Sequence, residues 1–439
     1  KNPHRSENYL SNIFPHSIVT KLRKNPTTPM DLNYMKTIKF CLYTLGAWPF
    51  AELYKVYGEK PKNIPLRHFK TLTVFWTAVL LSGGAYIVTN TGKIDFFEIG
   101  HSYLTFFTNA FSIQRVMMPF QKSFRNTISE FVLRIHLFHH KSKSIYAMEV
   151  NQVDKMARFF TIWLYTLMIC SFLLFNLIPI YHNIQSGVFK TRDRSLENGT
   201  RYELSLYHYI PFEYHNFGYT FIALANVILT FDGYSCLCTY DLLISVIIFH
   251  VWGHLKILKH NLENFPMPKQ RIINPDVFYD EDESQQIKEL IIINIEHHKM
   301  IMEFISLASD GFGLTMCCYY TYHQVVGCIL LLEVSPLDTT AIAHFGILTL
   351  VVFQQLIQTS IVFELMGSKS EIIKDAVYSL PWECMDVKNR KIVLFFLYNA
   401  QKPITLKALG MVSVGVQTAA AILKTSLSYF LMLRTFAEN

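Results

Sequence analysis

Long apolar stretches recur along the chain and are separated by segments that carry most of the charge. A helix needs about 20 apolar residues to cross the hydrocarbon core of a bilayer, which is about 30 Å thick. Seven segments meet or approach this length: 71–90, 97–118, 159–181, 217–252, 300–334, 339–363 and 404–433. The fourth and fifth exceed it, so we expect them to tilt or to extend into the cytosol. The pattern predicts an all-α membrane protein with seven transmembrane helices.

Composition and charge distribution support this prediction. Of the 439 residues, 51% are hydrophobic and 17% are charged, whereas soluble domains carry about 25% charged residues. With seven spans, 32 of the 40 Lys and Arg residues fall on the same side as residue 1, and 6 fall on the other side. Because cytoplasmic segments are enriched in Lys and Arg, we expect a cytoplasmic N-terminus and an extracellular C-terminus. We therefore attribute the net charge of +7 to segments at the cytoplasmic face of the membrane, and we expect no nucleic-acid partner.

One glycosylation motif agrees with this orientation. The triplet Asn198-Gly199-Thr200 lies in the loop 182–216, which the predicted topology places outside the cell. We therefore expect Asn198 to be a glycosylation site.

The segment before the first span predicts a short helix. In "MKTIKFCLYTLGAWP", Met35, Ile38, Leu42 and Leu45 recur at helical spacing. We expect this helix to lie at the cytoplasmic membrane interface, and an ordinary cytosolic helix is the alternative. The chain then divides into a cytoplasmic N-terminal segment (1–66), transmembrane helices one to six (67–384) and a C-terminal part with helix seven (385–439).

Three histidine motifs raise the possibility of a metal enzyme. They are "HLFHH" with His136, His139 and His140, "HVWGH" with His250 and His254, and "NIEHH" with His297 and His298. Clustered imidazoles suit iron in membrane di-iron desaturases and hydroxylases. The order of the motifs, the Asn294 that opens the third one and the seven spans argue against such an enzyme. We interpret these side chains as interfacial histidines and expect neither a metal, a cofactor nor an enzymatic activity.

Acidic residues also fall within the apolar segments. Asp241 and Glu303 lie in the parts of spans four and five that extend into the cytosol, where we expect them to reach water. Asp232 is deeper, and we expect it to have a partner inside the bundle. We interpret each as a structural group rather than as an ion contact.

The last apolar segment has one polar face. With Thr425 at 0° and about 100° per residue, Thr418 lies near +20°, Tyr429 near +40° and Met432 near −20°. This face is small and hydroxylated in its middle and carries large side chains towards the C-terminal end. It fits a pore wall with a hydrophobic constriction, and it equally fits ordinary packing of membrane helices. A pore of this kind requires several subunits.

The C-terminal sequence resembles that of insect odorant receptors. The resemblance rests on "LYNAQKPITLKALG" (397–410) and "ILKTSLSYFLMLR" (422–434), including Pro403, Gly410, Lys424 and Tyr429. Seven spans with an internal N-terminus also match this family. The segment "MKTIKFCLYTLGAWP" further resembles the moth sex-pheromone receptor branch.

The resemblance implies a subunit of a heteromeric, ligand-gated, non-selective cation channel in the plasma membrane of olfactory sensory neurons. The partner would be an olfactory co-receptor, with four subunits around one pore. In this family the region 385–439 supplies a cytoplasmic anchor helix and the pore-lining helix. Thr418, Thr425, Tyr429 and Met432 would line the pore, with Tyr429 and Met432 at the gate. Val or Leu is usual in the family where Met432 stands here.

The resemblance also implies an odorant pocket in the outer half of the bundle, between helices two, three, four and six. The residues expected there are Phe107, Ala110, Phe111, Cys170, Ser171, Phe175, Phe221, Ala225, Phe345 and Thr349. Such a pocket suits a hydrophobic volatile ligand with one polar end. Packing or contact with membrane lipid is the alternative for each aromatic residue.

A seven-helix receptor that signals through G proteins is the main rival. It would need an external N-terminus, which would put 32 cationic residues outside and 6 inside. The motifs D-R-Y and N-P-x-x-Y are also missing from the sequence. The sequence therefore favours a ligand-gated channel subunit.

Overall fold

A computed structural model of the chain describes most of its length. The described residues are 28–57, 65–93, 96–141, 143–187, 189, 202–209, 216–269, 278–335, 342–410 and 412–438. The predicted glycosylation site Asn198 lies outside them.

The described residues are mostly helical. The helices are α1 (Asn33–Thr44), α2 (Phe50–Tyr57), α3 (Pro65–Asn90), α4 (Phe96–Met117), α5 (Lys122–Glu130), α6 (Ala147–Gln185), α7 (Asn216–Glu263), α8 (Glu281–Val334), α9 (Ile347–Tyr378), α10 (Val387–Ala400) and α11 (Val416–Glu438). Two short strands, β1 (Lys407–Ala408) and β2 (Val412–Ser413), pair in an antiparallel hairpin. Single π-helical turns cover Phe131–Ile135 and Ile342–Gly346.

Helices α3, α4, α6, α7, α8, α9 and α11 correspond to the seven predicted spans. Five of the described helical segments are long and apolar enough to cross a membrane: Thr73–Asn90, Ser144–Gln185, Gly218–Glu263, Glu281–Val334 and Ile347–Cys384. The other two, α4 and α11, have 22 and 23 residues, which is about 33–35 Å of helix at 1.5 Å per residue. Both carry several polar side chains, which lowers their mean hydropathy. The prediction of a seven-helix membrane fold is confirmed.

The seventh span begins later than its apolar pattern indicates. Residues 404–415 were predicted to be helical, but β1, a turn and β2 occupy most of this stretch. Leu409 and Gly410 have φ angles of 50° and 72°, in the left-handed region. Right-handed helix cannot pass through such residues, so α11 starts only at Val416.

Helix α7 is the centre of the bundle. In the apolar 18-residue stretch within Gly218–Glu263, 89% of the residues are buried. In Thr73–Asn90 of α3, 17% of the residues are buried. Helices α4, α6, α8 and α9 all pack on α7. A helix that is apolar on all sides is buried in protein or in lipid, and the packing around α7 matches its run from Leu242 to Ile248, in which Ser245 alone is polar and every residue is buried.

The predicted N-terminal helix is present as α1, but its apolar side faces protein rather than lipid. Met35, Ile38 and Leu42 are 1%, 0% and 0% exposed, and α1 packs on α6 and α7. The Tyr34 hydroxyl lies 3.0 Å from Nε2 of His136 and 3.3 Å from Nε2 of His250. These contacts hold the N-terminal helix on the bundle.

Four of the seven histidines in the motifs, at positions 136, 250, 254 and 298, are buried in the protein, His140 and His297 are half-buried, and His139 is exposed. His136, His250 and His254 are 1%, 2% and 0% exposed, and Nδ1 of His254 lies 3.0 Å from Nε2 of His297. The backbone partner of His136 is Phe138, that of His250 is Leu137 and that of His254 is Ile135. Within the described part of the chain, no group of three or more His, Cys, Asp or Glu side chains is placed to hold a metal ion. The histidines therefore join the loop between α5 and α6 to α7 and α8.

Candidate functional site

An elongated cavity runs between the helices of the bundle. Residues of α3, α4, α6, α7, α8 and α9 line it, together with Leu206 from the segment 202–209, and they surround about 990 Å³ of space between atoms, including that at its mouth. The cavity therefore lies among the four helices that were expected to form the odorant pocket, with α3 and α8 as additional walls.

One end of the cavity is mainly apolar and aromatic. Trp76 of α3 and Phe175 of α6 line this end with Leu206. Nε1 of Trp76 donates a hydrogen bond to Oδ2 of Asp232 at 3.0 Å, which confirms the expected interior partner of Asp232. A Cβ atom added to Gly233 would lie 3.0 Å from the Trp76 ring. Glycine at 233 thus lets the indole pack directly on the α7 backbone.

The other end of the cavity contains a buried ion pair. Asp241 of α7 lines the cavity, and its Oδ1 accepts a hydrogen bond from Nη2 of Arg115 at 2.6 Å. Arg115 is 0% exposed and also donates from Nη1 to the carbonyl oxygen of Leu237 at 2.6 Å. Its guanidinium group lies 4.5 Å from the centre of the Phe111 ring. The expectation that Asp241 reaches cytosolic water is wrong, because Arg115 pairs with it inside the bundle.

Helix α4 gives the cavity a polar stripe. Thr105, Thr108, Asn109 and Ser112 line it, and their spacing of i, i+3, i+4 and i+7 places them on one face of the helix. The hydroxyls of Thr105 and Ser112 donate to backbone carbonyls of α4. The amide of Asn109 makes no hydrogen bond to any other described residue. This spacing in "TFFTNAFS" was the signal in the sequence that could have located the wall.

Of the ten residues predicted to bind ligand, the structure brings Ser171 and Phe175 to the cavity wall. Phe111 lies beside it, stacked at 4.9 Å on Tyr322, which does line the cavity. Phe107 and Phe345 pack with residues next to the cavity. Thr349 donates to the carbonyl oxygen of Phe345.

The other four predicted residues face away from the cavity. Ala110 and Ala225 are half-buried, Cys170 is exposed and Phe221 is 71% exposed. At about 100° per residue, Phe221 points about 170° away from the mean direction of the cavity-lining residues of α7. The cavity thus lies among the expected helices, and these four residues lie on other sides of the same helices.

The predicted pore face lies on the outside of the subunit. Thr425, Tyr429 and Met432 are exposed, the last two by 52% and 47%, and Thr418 is half-buried. The buried face of α11 carries Ser426, which is 0% exposed. The predicted face is therefore available to other subunits, and its role in a pore stays a prediction.

Helix α8 connects the cavity with α11. Tyr322 and Val326 line the cavity. Between them, Gln324 contacts the last helix: its Oε1 accepts from the Thr425 hydroxyl at 2.5 Å, and its Nε2 donates to the Ser426 hydroxyl at 3.0 Å. One turn of α8 thus touches both the cavity and the last helix.

These features define a multi-pass membrane protein with a closed bundle and an internal pocket suited to a small apolar ligand. The family described as 7tm Odorant receptor matches residues 96–427. Since this match covers most of the chain, the protein belongs to the odorant receptor family. The prediction of a receptor rather than a di-iron enzyme is confirmed by this membership.

Known relatives agree with the assignment. Putative odorant receptor 85d of Drosophila melanogaster is 22% identical over 154 residues, which cover 34% of this chain and 37% of that protein. Odorant receptor 67a of the same species is 22% identical over 213 residues, covering 47% and 50%. The chain thus aligns with half or less of the length of these two relatives.

A solved structure shares the fold. The olfactory receptor OR5 from Machilis hrabei in complex with eugenol superposes with a TM-score of 0.71 at 14% identity, covering 93% of this chain and 99% of that one. The fold is therefore that of an insect olfactory receptor.

Proposed function

We propose that this protein is the ligand-binding subunit of a heteromeric, ligand-gated, non-selective cation channel that detects a hydrophobic volatile. The observation that carries the proposal is the internal cavity, which has apolar walls and a few polar side chains. An apolar site with a few well-placed polar groups binds a small amphipathic molecule and orients it. The eugenol complex of OR5 shows that a protein of the same fold holds a small volatile.

The contact between α8 and α11 supports coupling of ligand binding to a gate. Tyr322 forms part of the cavity wall, and Gln324 binds Thr425 and Ser426. A ligand that favours one position of this turn of α8 would shift α11 between two arrangements. The exposed face of α11 would line a shared pore in an assembly with an olfactory co-receptor.

The remaining parts of the proposal rest on the sequence. The resemblance of the N-terminal segment to moth sex-pheromone receptors supports a pheromone as the natural ligand. The family supports a place in the plasma membrane of olfactory sensory neurons, with residues 385–439 as anchor helix and pore helix. Lys424 is exposed on α11 and disfavours cations, so we expect little or no current from this subunit alone.

The test is to record currents from cells that express the chain with and without a co-receptor, across a panel of volatiles. We expect ligand-evoked cation current only with both subunits. Phe175→Ala should raise the half-maximal concentration about tenfold, since it removes an aromatic contact worth about 1.4 kcal/mol. The matched control is Phe221→Ala, which removes the same side chain from the outer surface and should change nothing. Equal effects of the two substitutions would contradict the cavity as the ligand site.

A further inference from the structure

Three cavity-lining side chains with unused hydrogen-bonding capacity lie towards one end of the cavity. Asp241 and Gln355 are the cavity-lining residues nearest the C-terminal ends of α7 and α9, and Asn109 lies towards the same end of α4. These three helices run in the same direction through the bundle, so the three side chains share one end. Trp76, Leu206 and Leu229 line the opposite end.

The ion pair with Arg115 favours the carboxylate form of Asp241. The 2.6 Å contact between Nη2 of Arg115 and Oδ1 of Asp241 is a charge-assisted hydrogen bond. The carbonyl oxygen of Leu237 and the ring of Phe111 fix the guanidinium from two other directions. The pair is electrically neutral as a whole, so the cavity does not attract a cation.

The second carboxylate oxygen of Asp241 is the unusual group. No described residue donates a hydrogen bond to Oδ2, whereas Oδ1 accepts one from Arg115. A carboxylate oxygen can only accept, and an acceptor without a donor in a buried site is unfavourable. The amide groups of Asn109 and Gln355 also make no side-chain hydrogen bond to the described residues, and they can both donate and accept.

We propose that the ligand carries a hydroxyl group at its polar end, which donates to Oδ2 of Asp241 and accepts from the amide of Asn109 or Gln355. This inference rests on the proposed function of the cavity as the ligand site. A hydroxyl group matches both demands because it has one donor and two lone pairs. An ether or an ester of the same chain length has only acceptors, so it would face Oδ2 with lone pairs and leave it without a donor. A site with a buried polar group rejects an analogue that cannot pair with it.

The first experiment compares two ligands on the unaltered protein. The purified full chain in lipid nanodiscs is titrated with decan-1-ol and, separately, with decyl methyl ether, and the thermal unfolding midpoint is measured. Binding to the folded state raises this midpoint. We expect the alcohol to act at a concentration about 10- to 100-fold lower than the ether. Equal potency, a preference for the ether, or no stabilisation by either ligand would overturn the inference.

The second experiment locates the polar end of the ligand within the cavity. Asn109→Leu and Gln355→Leu keep the approximate size of the side chain and remove the amide that donates to the ligand oxygen. The alcohol and the ether both offer this oxygen as an acceptor, so the double variant should weaken both ligands and leave the alcohol with its advantage, which comes from Asp241. Phe175→Ala, at the apolar end, should also weaken both ligands by a similar factor. Unchanged binding of the alcohol in the double amide variant would contradict the placement of the hydroxyl.

Asp241→Asn gives the sharpest result if the variant folds. The amide oxygen can still accept from Arg115, and the amide nitrogen would then present a donor to the cavity, so the preference should shift towards the ether. Because the readout is thermal stability, a receptor that binds the alcohol but passes no current would leave this inference standing and contradict the proposed channel function. A receptor that passes ligand-evoked current but is stabilised equally by the alcohol and the ether would support the proposed channel function and contradict this inference.

Discussion

At the scale of single residues, two imidazoles act only in their neutral form. The backbone N–H groups of Phe138 and Leu137 donate to Nδ1 of His136 and His250, each at 3.1 Å. With Nδ1 as an acceptor, the hydrogen of each neutral ring is on Nε2, where it donates to the hydroxyl oxygen of Tyr34. A proton added at Nδ1 would face a backbone N–H and break this arrangement.

The first prediction is that acid weakens the folded protein through His136. Burial, with a smaller contribution from nearby His139, lowers the pKa of His136 to about 3 from its usual 6.5. Between these values the unfolded chain binds the proton and the folded chain does not, so stability is complete above about pH 6.5 and falls as the pH drops towards 3. Burial also lowers the pKa of His140, which adds to the same decline.

The measurement is the thermal unfolding midpoint as a function of pH, with His136→Gln beside the unaltered chain. Glutamine can donate to Tyr34 but cannot titrate, so proton uptake on unfolding at pH 5 should fall by about one. His260→Gln, on the last turn of α7, is the comparison variant that also replaces one histidine by glutamine, and its slope should differ from that of His136→Gln. An unchanged slope in His136→Gln would show that His136 is not the group responsible.

At the scale of single elements, the last helix has one exposed face and one buried face, and adjacent residues belong to different faces. Thr425 is exposed, whereas Ser426 is 0% exposed and contacts Gln324. Along the exposed face, Tyr429 and Met432 follow at helical spacing. A helix with this pattern presents a polar and aromatic surface to whatever lies outside the subunit.

The second prediction is that this face borders water when the channel opens. In the complex with a co-receptor, Thr425→Cys and Met432→Cys should react with small charged thiol reagents in the presence of ligand, and modification should change the current. Ser426→Cys is the matched control, and it should react about tenfold more slowly because its side chain is buried. The unsubstituted chain must be measured too, since Cys170 is exposed. Similar reaction rates at 425 and 426 would contradict the pore face.

The sequence predicted elements better than it predicted sites. Apolar runs of spanning length located the long helices, because a membrane imposes that length on any helix that crosses it. The rotation of each helix about its axis depends on its neighbours, and so Ser171 lies on the cavity wall whereas Phe221 is on the outer surface. The pairing of Arg115 with Asp241, 126 residues apart in sequence, is likewise a tertiary contact that no local pattern reveals.

At the scale of the whole molecule, helices longer than a bilayer extend the bundle beyond it. Helices α7 and α8 have 48 and 54 residues, or about 72 and 81 Å at 1.5 Å per residue. Their extensions pack with α1 and α10 and hold the histidine contacts. The prediction that these two spans exceed the bilayer is confirmed.

The third prediction concerns orientation. From the excess of Lys and Arg at the end that holds α1 and α10, we predict that this end lies in the cytosol. An epitope tag at Asn439 should bind antibody on intact cells, and a tag at Lys1 should bind only after permeabilisation. A tag inserted after Gln401, between α10 and β1, should behave like the one at Lys1. The opposite pattern would contradict the channel topology and restore the G-protein-coupled alternative.

The single turn of α8 that carries Tyr322, Gln324 and Val326 has a consequence for how such receptors diversify. Tyr322 and Val326 line the cavity and Gln324 contacts α11, so under the proposed function a substitution in this turn would alter the choice of ligand and the behaviour of the gate together. Trp76, Phe175 and Leu206 border the same cavity from other elements. After gene duplication, copies that acquire new odour preferences should therefore vary at these positions first, while selection holds residues 322–326 nearly constant.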